Sequence, residues 1–366
     1  MKRKTPHKQA RLHPCKKIIT DILLRLPVKS LLRFKYTSKS WRSLISSKHF
    51  VKTHLENSTK NPPFACHRII SVTREGNKYD IQHCSLHPLF PERVTYASYG
   101  DFPVDESVDS LRLLGSCNGL VCISINETKY FLWNPSARES KKLPDFDLKI
   151  LSHSHIIEDG FGFDESSGDY KVYAASYDQL QDIAKIYSLK QDSWTRINYN
   201  NKDVILSPRT GKFVSGNLHW IRVIEDEWYI SSLDLKNGVY GIVERPSILD
   251  DHSSLVLGVL NGCLSAFCCS QDCKYLDLWV LKQYGVKDSW SKMMRISDNL
   301  FMDYMLLTPL DIISQNREVL FRYRWDLVVY KLKENRFWYL KTNGFKNLHK
   351  LVHVESLVSV MANIEE

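Results

Sequence analysis

The chain has 366 residues, 43% hydrophobic and 25% charged, values of a soluble globular protein with two or three domains or one small module joined to a large one. No apolar run approaches the ~18 residues of a membrane span, so a membrane protein is excluded on this reading. The net charge of +9 is unevenly placed: residues 1–55 hold fifteen Lys and Arg against a single acid, Asp21, and the remainder holds 35 against 40. A basic head on a mildly acidic body calls for an acidic partner of the head, either nucleic acid or an acidic protein surface.

The opening residues, "MKRKTPHKQARLHPCKK", lack the apolar stretch of a signal peptide, which places the chain inside the cell, in cytoplasm, nucleus or both. The nine cysteines, spread from Cys15 to Cys273, then read as thiols rather than a disulfide framework. Residues 1–14 read as a basic disordered tail, in which "KRK" at 2–4 is a solvated charge run before it is an import signal.

Helical periodicity starts at "KKIITDILLRLP", where Ile18, Ile22 and Leu26 repeat at i, i+4, i+8 and Ile19 and Leu23 fill the adjacent row. Lys16 and Lys17 occupy a first turn that favours negative charge, so that turn is expected to fray. Pro27 ends this helix and suits the first turn of the next. The second helix carries Val28, Leu31 and Leu32, with Phe34 and Tyr36 extending its surface. Ser38 is placed to cap a third, in which Trp41, Leu44 and Ile45 share a face, and "KHFVKTHL" forms a further short turn. So much apolar surface on ~45 residues cannot all be hidden internally, and part of it must meet a partner.

Residues 56–63, "ENSTKNPP", are polar and proline-containing and read as a linker. Beyond them short alternating or aromatic runs recur, among them "LRLLGSCNGLVCISI", "IYSLKQDSW", "LWVLKQYGVKDSW" and "VYKLKENRFW". These are strands joined by turns, with hairpins expected around Gly119, Asn217 and Gly262. Imperfect repetition at roughly 50-residue spacing over 64–366 points to a kelch-like propeller of about six blades. In it Trp194, Trp290 and Trp338 would pack one blade on the next.

"DILLRLPVKSLLRFK", "SKSWRSLIS" and the trailing "HF" and "HL" together resemble an F-box, in the version found in plant F-box proteins. "LLGSCNGLVCI", "LWNPSARESKKLP", "GFGFDESSGDYKV" and "GNLHWI" resemble the F-box-associated interaction domain. The resemblance implies an α+β, two-part chain: a helical F-box at 15–55 and an all-β, kelch-like propeller at 64–366. It implies a non-catalytic subunit of an SCF-type ubiquitin ligase, docking on a Skp-type adaptor that bridges to cullin and RING subunits, while the propeller recruits an unknown target protein. Carried onto this chain, the adaptor-binding set is Ile18, Ile22, Leu23, Leu26, Pro27, Val28, Leu31, Leu32, Lys35 and Trp41; no target-binding residue can be carried over.

Two alternatives come from other classes. A basic helical head is the commonest sequence sign of nucleic-acid binding, although the outward face here is aliphatic rather than rich in Arg, Asn or Gln. A hydrolase could use the central channel of a propeller, and "GSCNG" at 115–119 fits the cysteine form of a nucleophile elbow. An elbow requires a following helix, and "LVCISI" reads as a strand, so a hairpin turn is expected there. Cys263, Cys268, Cys269 and Cys273 lack the second knuckle of a zinc site, and His153 and His155 lack partners in sequence. Neither metal nor cofactor is expected.

Overall fold

The computed structural model describes residues 14–60, 67–75, 78–85, 95–96, 98–99, 108–146, 155–177, 182–199, 204–206, 209–225, 227–246, 255–270, 275–296, 307–312, 318–324, 326–340, 342–343 and 349–361. Residues 1–13 of the basic tail, residues 61–63 of the linker, His153 and Cys273 fall outside them, while Pro14, assigned to the tail, begins the first helix. Among the described residues no helix is long and apolar enough to cross a membrane.

Four helices come first: α1 (Pro14–Leu23), α2 (Val28–Phe34), α3 (Lys39–Ser46) and α4 (Lys48–Lys60). The first turn of α1 is helical from Pro14 despite its two lysines, because proline presets the backbone angle and lacks only an N–H that a first turn leaves unused. Ser38 caps α3, its Oγ accepting from the Trp41 amide at 3.2 Å. Residues 56–60 belong to α4 rather than to a linker. Their polar side chains suggest a break, yet Ser58 is buried and the Thr59 hydroxyl donates back to the Leu55 carbonyl at 3.1 Å, so the helix accommodates them.

The body is a six-bladed propeller, each blade an antiparallel sheet. Five blades follow chain order: strands from Leu111 to Lys142, His155 to Ile197, Val204 to Val243, Leu255 to Ile296, and Leu307 to Tyr339. The blade that opens the body is different. Its strands His67–Glu75 and Lys78–Ser85 are joined by the last strand of the chain, His349–Val354, which pairs with His67–Glu75 at the inner edge. The innermost strands of successive blades touch in a ring that this pairing closes, so no free edge strand is left at the seam.

Each blade packs on two neighbours, and alternation within a strand serves both. In Leu120–Ile125, which is buried throughout, Val121, Ile123 and Ile125 join a cluster with Ile70 and Val72 of the first blade. Leu120 and Cys122 face the other way, onto Phe161 and Val172 of the third. Six such clusters, one per interface, make up the core. Hairpins fall at Asn118–Gly119, Ser215–Gly216 and Asn261–Gly262, where both turn residues have positive φ, the geometry that matches strand twist.

The turn tryptophans divide. Trp194 packs against Tyr130 and Phe146 of the preceding blade and donates from Nε1 to the Pro144 carbonyl at 2.8 Å. Trp290 is buried and donates likewise to Glu244 of its preceding blade. Trp338, by contrast, is 45% exposed and donates to Glu334 in its own turn. Register explains it: Tyr187 pairs with Trp194, whereas Tyr330 pairs with Phe337, so Phe337 takes the inward position and Trp338, one residue on, points out.

Polar groups between blades are tied down. Arg222 donates to Glu158 and to Ser231, and Tyr173 and Tyr199 also donate to the Glu158 carboxylate. His219 presents Nδ1 to the Lys212 carbonyl at 2.9 Å and Nε2 to the Tyr284 hydroxyl of the next blade at 2.8 Å. Burial pushes its pKa down to about 4, so the folded ring stays neutral at a pH where the unfolded chain's imidazole has bound a proton. The stability this supplies is complete above about pH 6.5 and is lost as pH falls toward 4, about 3 kcal/mol in all. The thermal midpoint of the protein should therefore fall between pH 6.5 and 4, and His219→Gln should flatten that slope; an equal slope in wild type and variant would contradict the assignment.

Candidate functional site

Most of the head's apolar side chains turn inward. Leu23, Val28, Leu31, Ile45 and Phe50 form its core, with Leu24, Leu26, Leu32, Phe34 and Trp41 packed around them. Phe34 and Trp41 meet edge to face at 5.3 Å, and His54 Nε2 lies 2.9 Å from the Leu26 carbonyl, tying α4 to the end of α1. Of the ten positions expected to bind an adaptor, Leu23, Val28 and Leu31 are thus buried within the chain itself, while Leu26, Leu32 and Trp41 are half-buried. Pro27 is exposed. Ile18 and Ile22 stand 59% and 55% exposed on α1, with Ile19 between them. Three isoleucines on one exposed helical face, in a segment with one acid, form an apolar ridge with a basic surround.

Lys35 faces elsewhere. It lines a cleft of about 1660 Å³ between the head and the second and third blades, where burial lowers its pKa and Glu139 of the propeller opposes that shift.

The floor of this junction comes from the far end of the chain. After the closing strand, residues 355–361 run along the second blade, held by Asn134: its Nδ2 donates to the Val358 carbonyl at 2.6 Å and to the Ser356 carbonyl at 3.1 Å. Its Oδ1 meanwhile accepts from the amides of Ser136 and Ala137. Side chains along this segment then alternate between the two halves. Leu357, 4% exposed, completes the helical core, and Val360 enters the core between the second and third blades. Gly119 lets the segment pass, since a Cβ there would lie 2.7 Å from the Val354 carbonyl oxygen.

The sequence motifs weighed for chemistry resolve into structure. Cys117 ends a strand before the Asn118–Gly119 hairpin and is followed by a second strand rather than the helix of a nucleophile elbow, and burial pushes its thiol up to about 12. Cys268 and Cys269 point to opposite faces of one strand, into different cores. Among the described residues no group of three or more His, Cys, Asp or Glu could hold a metal.

The comparisons agree with this division. The F-box domain family matches residues 15–53, and the F-box associated beta propeller domain family matches residues 98–360. The chain belongs to the F-box proteins with an associated β-propeller. Among its relatives, the F-box/kelch-repeat protein At3g23880 of Arabidopsis thaliana is 32% identical over 358 residues, spanning 93% of this chain and 94% of that one. F-box protein CPR1 of the same plant is 27% identical over 334 residues, 83% of this chain and 78% of the relative. As an F-box protein with a propeller, the chain has the makeup of a substrate-recognition protein.

Sequence periodicity had no means of finding Leu357 or Asn134 as parts of the head's support, because they lie some 300 and 80 residues beyond it. Replacing Leu357 with Ala should destabilise the helices by about 2–5 kcal/mol, the usual cost of such a cavity, and leave the blades intact. Hydrogen exchange should then rise in α1–α4 with little change in the outer strands; unchanged protection of the helices would show that Leu357 does not support them.

Proposed function

We propose that the chain is the substrate-recognition subunit of an SCF-type ubiquitin ligase, acting in the cytoplasm or nucleus. The helical head, residues 15–55 extended by the rest of α4, docks on a Skp-type adaptor and through it on cullin and RING subunits; the propeller, from residue 64 onward, recruits the target protein. The observation that carries this reading is the exposed ridge of Ile18, Ile19 and Ile22 on a head whose other aliphatic side chains pack inward. Burying one isoleucine is worth roughly 1.5–3 kcal/mol, so the ridge supplies the apolar part of an interface. The basic surround steers encounter with an acidic partner. The chain itself then makes and breaks no bond. Its contribution is proximity, holding a target lysine near a charged conjugating enzyme.

Of the ten expected adaptor contacts, the exposed ones are the clean tests, since Leu31→Asp would place a charge in the head's own core. Ile22→Asp should weaken binding of a purified Skp-type adaptor by about a hundred-fold, because it inserts a charge into an apolar contact, while the thermal transition stays where it was. Association should also slow as salt rises and dissociation change less. Equal adaptor affinity in wild type and variant would refute the ridge as the docking face, and salt-sensitive nucleic-acid binding without adaptor binding would favour the other reading of the basic head.

A further inference from the structure

The cleft between head and propeller is charged in a one-sided way. Eight Lys and Arg line it against four acids, and six of the eight come from the head: Lys29, Arg33, Lys35, Arg42, Lys48 and Lys52. Of the three acids on the propeller wall, Glu165 is exposed and the other two already have work within the fold. Asp169 accepts from the Ser188 hydroxyl and the Lys190 amide, and Glu139 accepts from the Ser359 hydroxyl. The lining as a whole keeps an excess of positive charge, eight cations against four acids. The cleft also carries apolar anchors: Tyr36, on the head, is 91% exposed, and Met361 is half exposed on the opposite side. An aromatic ring left fully in water beside six cations is placed to meet an apolar side chain whose neighbours are acidic.

We propose that this cleft binds an acidic peptide segment of a partner protein, its carboxylates against α2, α3 and α4 and an aliphatic or aromatic side chain against Tyr36. The occupant is a peptide rather than a small anion because the cleft, about 1660 Å³, is lined by three helices of the head and by the propeller. It is acidic because the lining excess is positive, and like charges opposite one another would be repelled. The site is separate from the Ile18 ridge. It makes the recognition surface span both halves of the chain, with the head reading charge and the propeller supplying the far wall. Binding is read on the purified chain without adaptor, so its outcome is independent of the ligase reading.

The probe is a fluorescein-labelled twelve-residue peptide of alternating Glu and Leu or Phe, with a Gln-for-Glu copy as control, titrated into the full chain at low and high salt. The Glu peptide should bind at least about ten-fold more tightly than the Gln copy and weaken with salt. Arg33→Glu and Lys52→Glu, both exposed side chains, should each cost about ten-fold. Lys333→Glu, exposed on a blade turn outside the cleft, should cost nothing. Tyr36→Ser should weaken binding without altering charge, and its exposure leaves the fold indifferent to it, so it serves where a charge reversal disturbs folding. Equal binding of the Glu and Gln peptides, or cleft variants that bind as wild type does, would overturn the proposal. So would displacement of the peptide by a single-stranded DNA 20-mer that binds more tightly with the same dependence on Arg33 and Lys52, which would assign the cleft to nucleic acid.

Discussion

The junction depends on one buried amide. Asn134, fully buried at the end of a strand of the second blade, uses both ends of its side chain: the oxygen shapes its own turn and the nitrogen holds the backbone of residues 356–358. Alanine in its place would leave buried carbonyls and amides without partners, which costs more than the bonds themselves gain. Once the segment is fixed, Leu357 has a single place to go. It enters the helical core, and four short helices that could not persist alone in water acquire a wall to pack on. The ridge, the cleft and the angle between head and propeller all follow from that placement.

A flexible connection of eight residues would let the two halves wander over an end-to-end distance of roughly 15 Å. The structure removes much of that freedom twice, by continuing α4 through Lys60 and by threading the closing segment under the head. In the proposed ligase role, whose output is proximity, a fixed head-to-propeller angle would concentrate the target where transfer occurs, since less orientational freedom must be lost at the moment of reaction.

What the sequence showed plainly was whatever local spacing encodes. Helix faces, the Ser38 cap and the Asn118–Gly119 hairpin are all carried by residues within a turn or a strand of one another, and the six-bladed architecture by repetition of such local units at roughly 50-residue spacing. The tryptophans mark the limit of that method. Trp194, Trp290 and Trp338 share a pattern of strand, charged turn and aromatic, and only the pairing register reveals that Phe337 has taken the inward place in the last blade. The linker was misread for a related reason: Asn57, Ser58 and Thr59 look like a break until burial and the back-bond of Thr59 are known. Exposure was the least legible property. Ile18 and Leu23 look alike in an amphipathic repeat, yet one lies in water and the other in the core, because a helix's inward face is chosen by neighbours that include Leu357, far along the chain.

Coupling the two halves through one core has a consequence for how damage spreads. In a pair of independent domains, loss of packing in the propeller would leave the head's affinity for its partner untouched. Here the closing strand His349–Val354 seals the ring, and the residues directly after it support the helices. Opening the seam between the first and last blades would therefore also withdraw Leu357. A chain whose propeller has opened would present a loosened ridge, with the buried positions Leu23, Val28 and Leu31 newly exposed around it. The contact network thus ties the proposed docking ridge to an intact propeller, through strand pairing, the Asn134 amide and the buried Leu357 side chain.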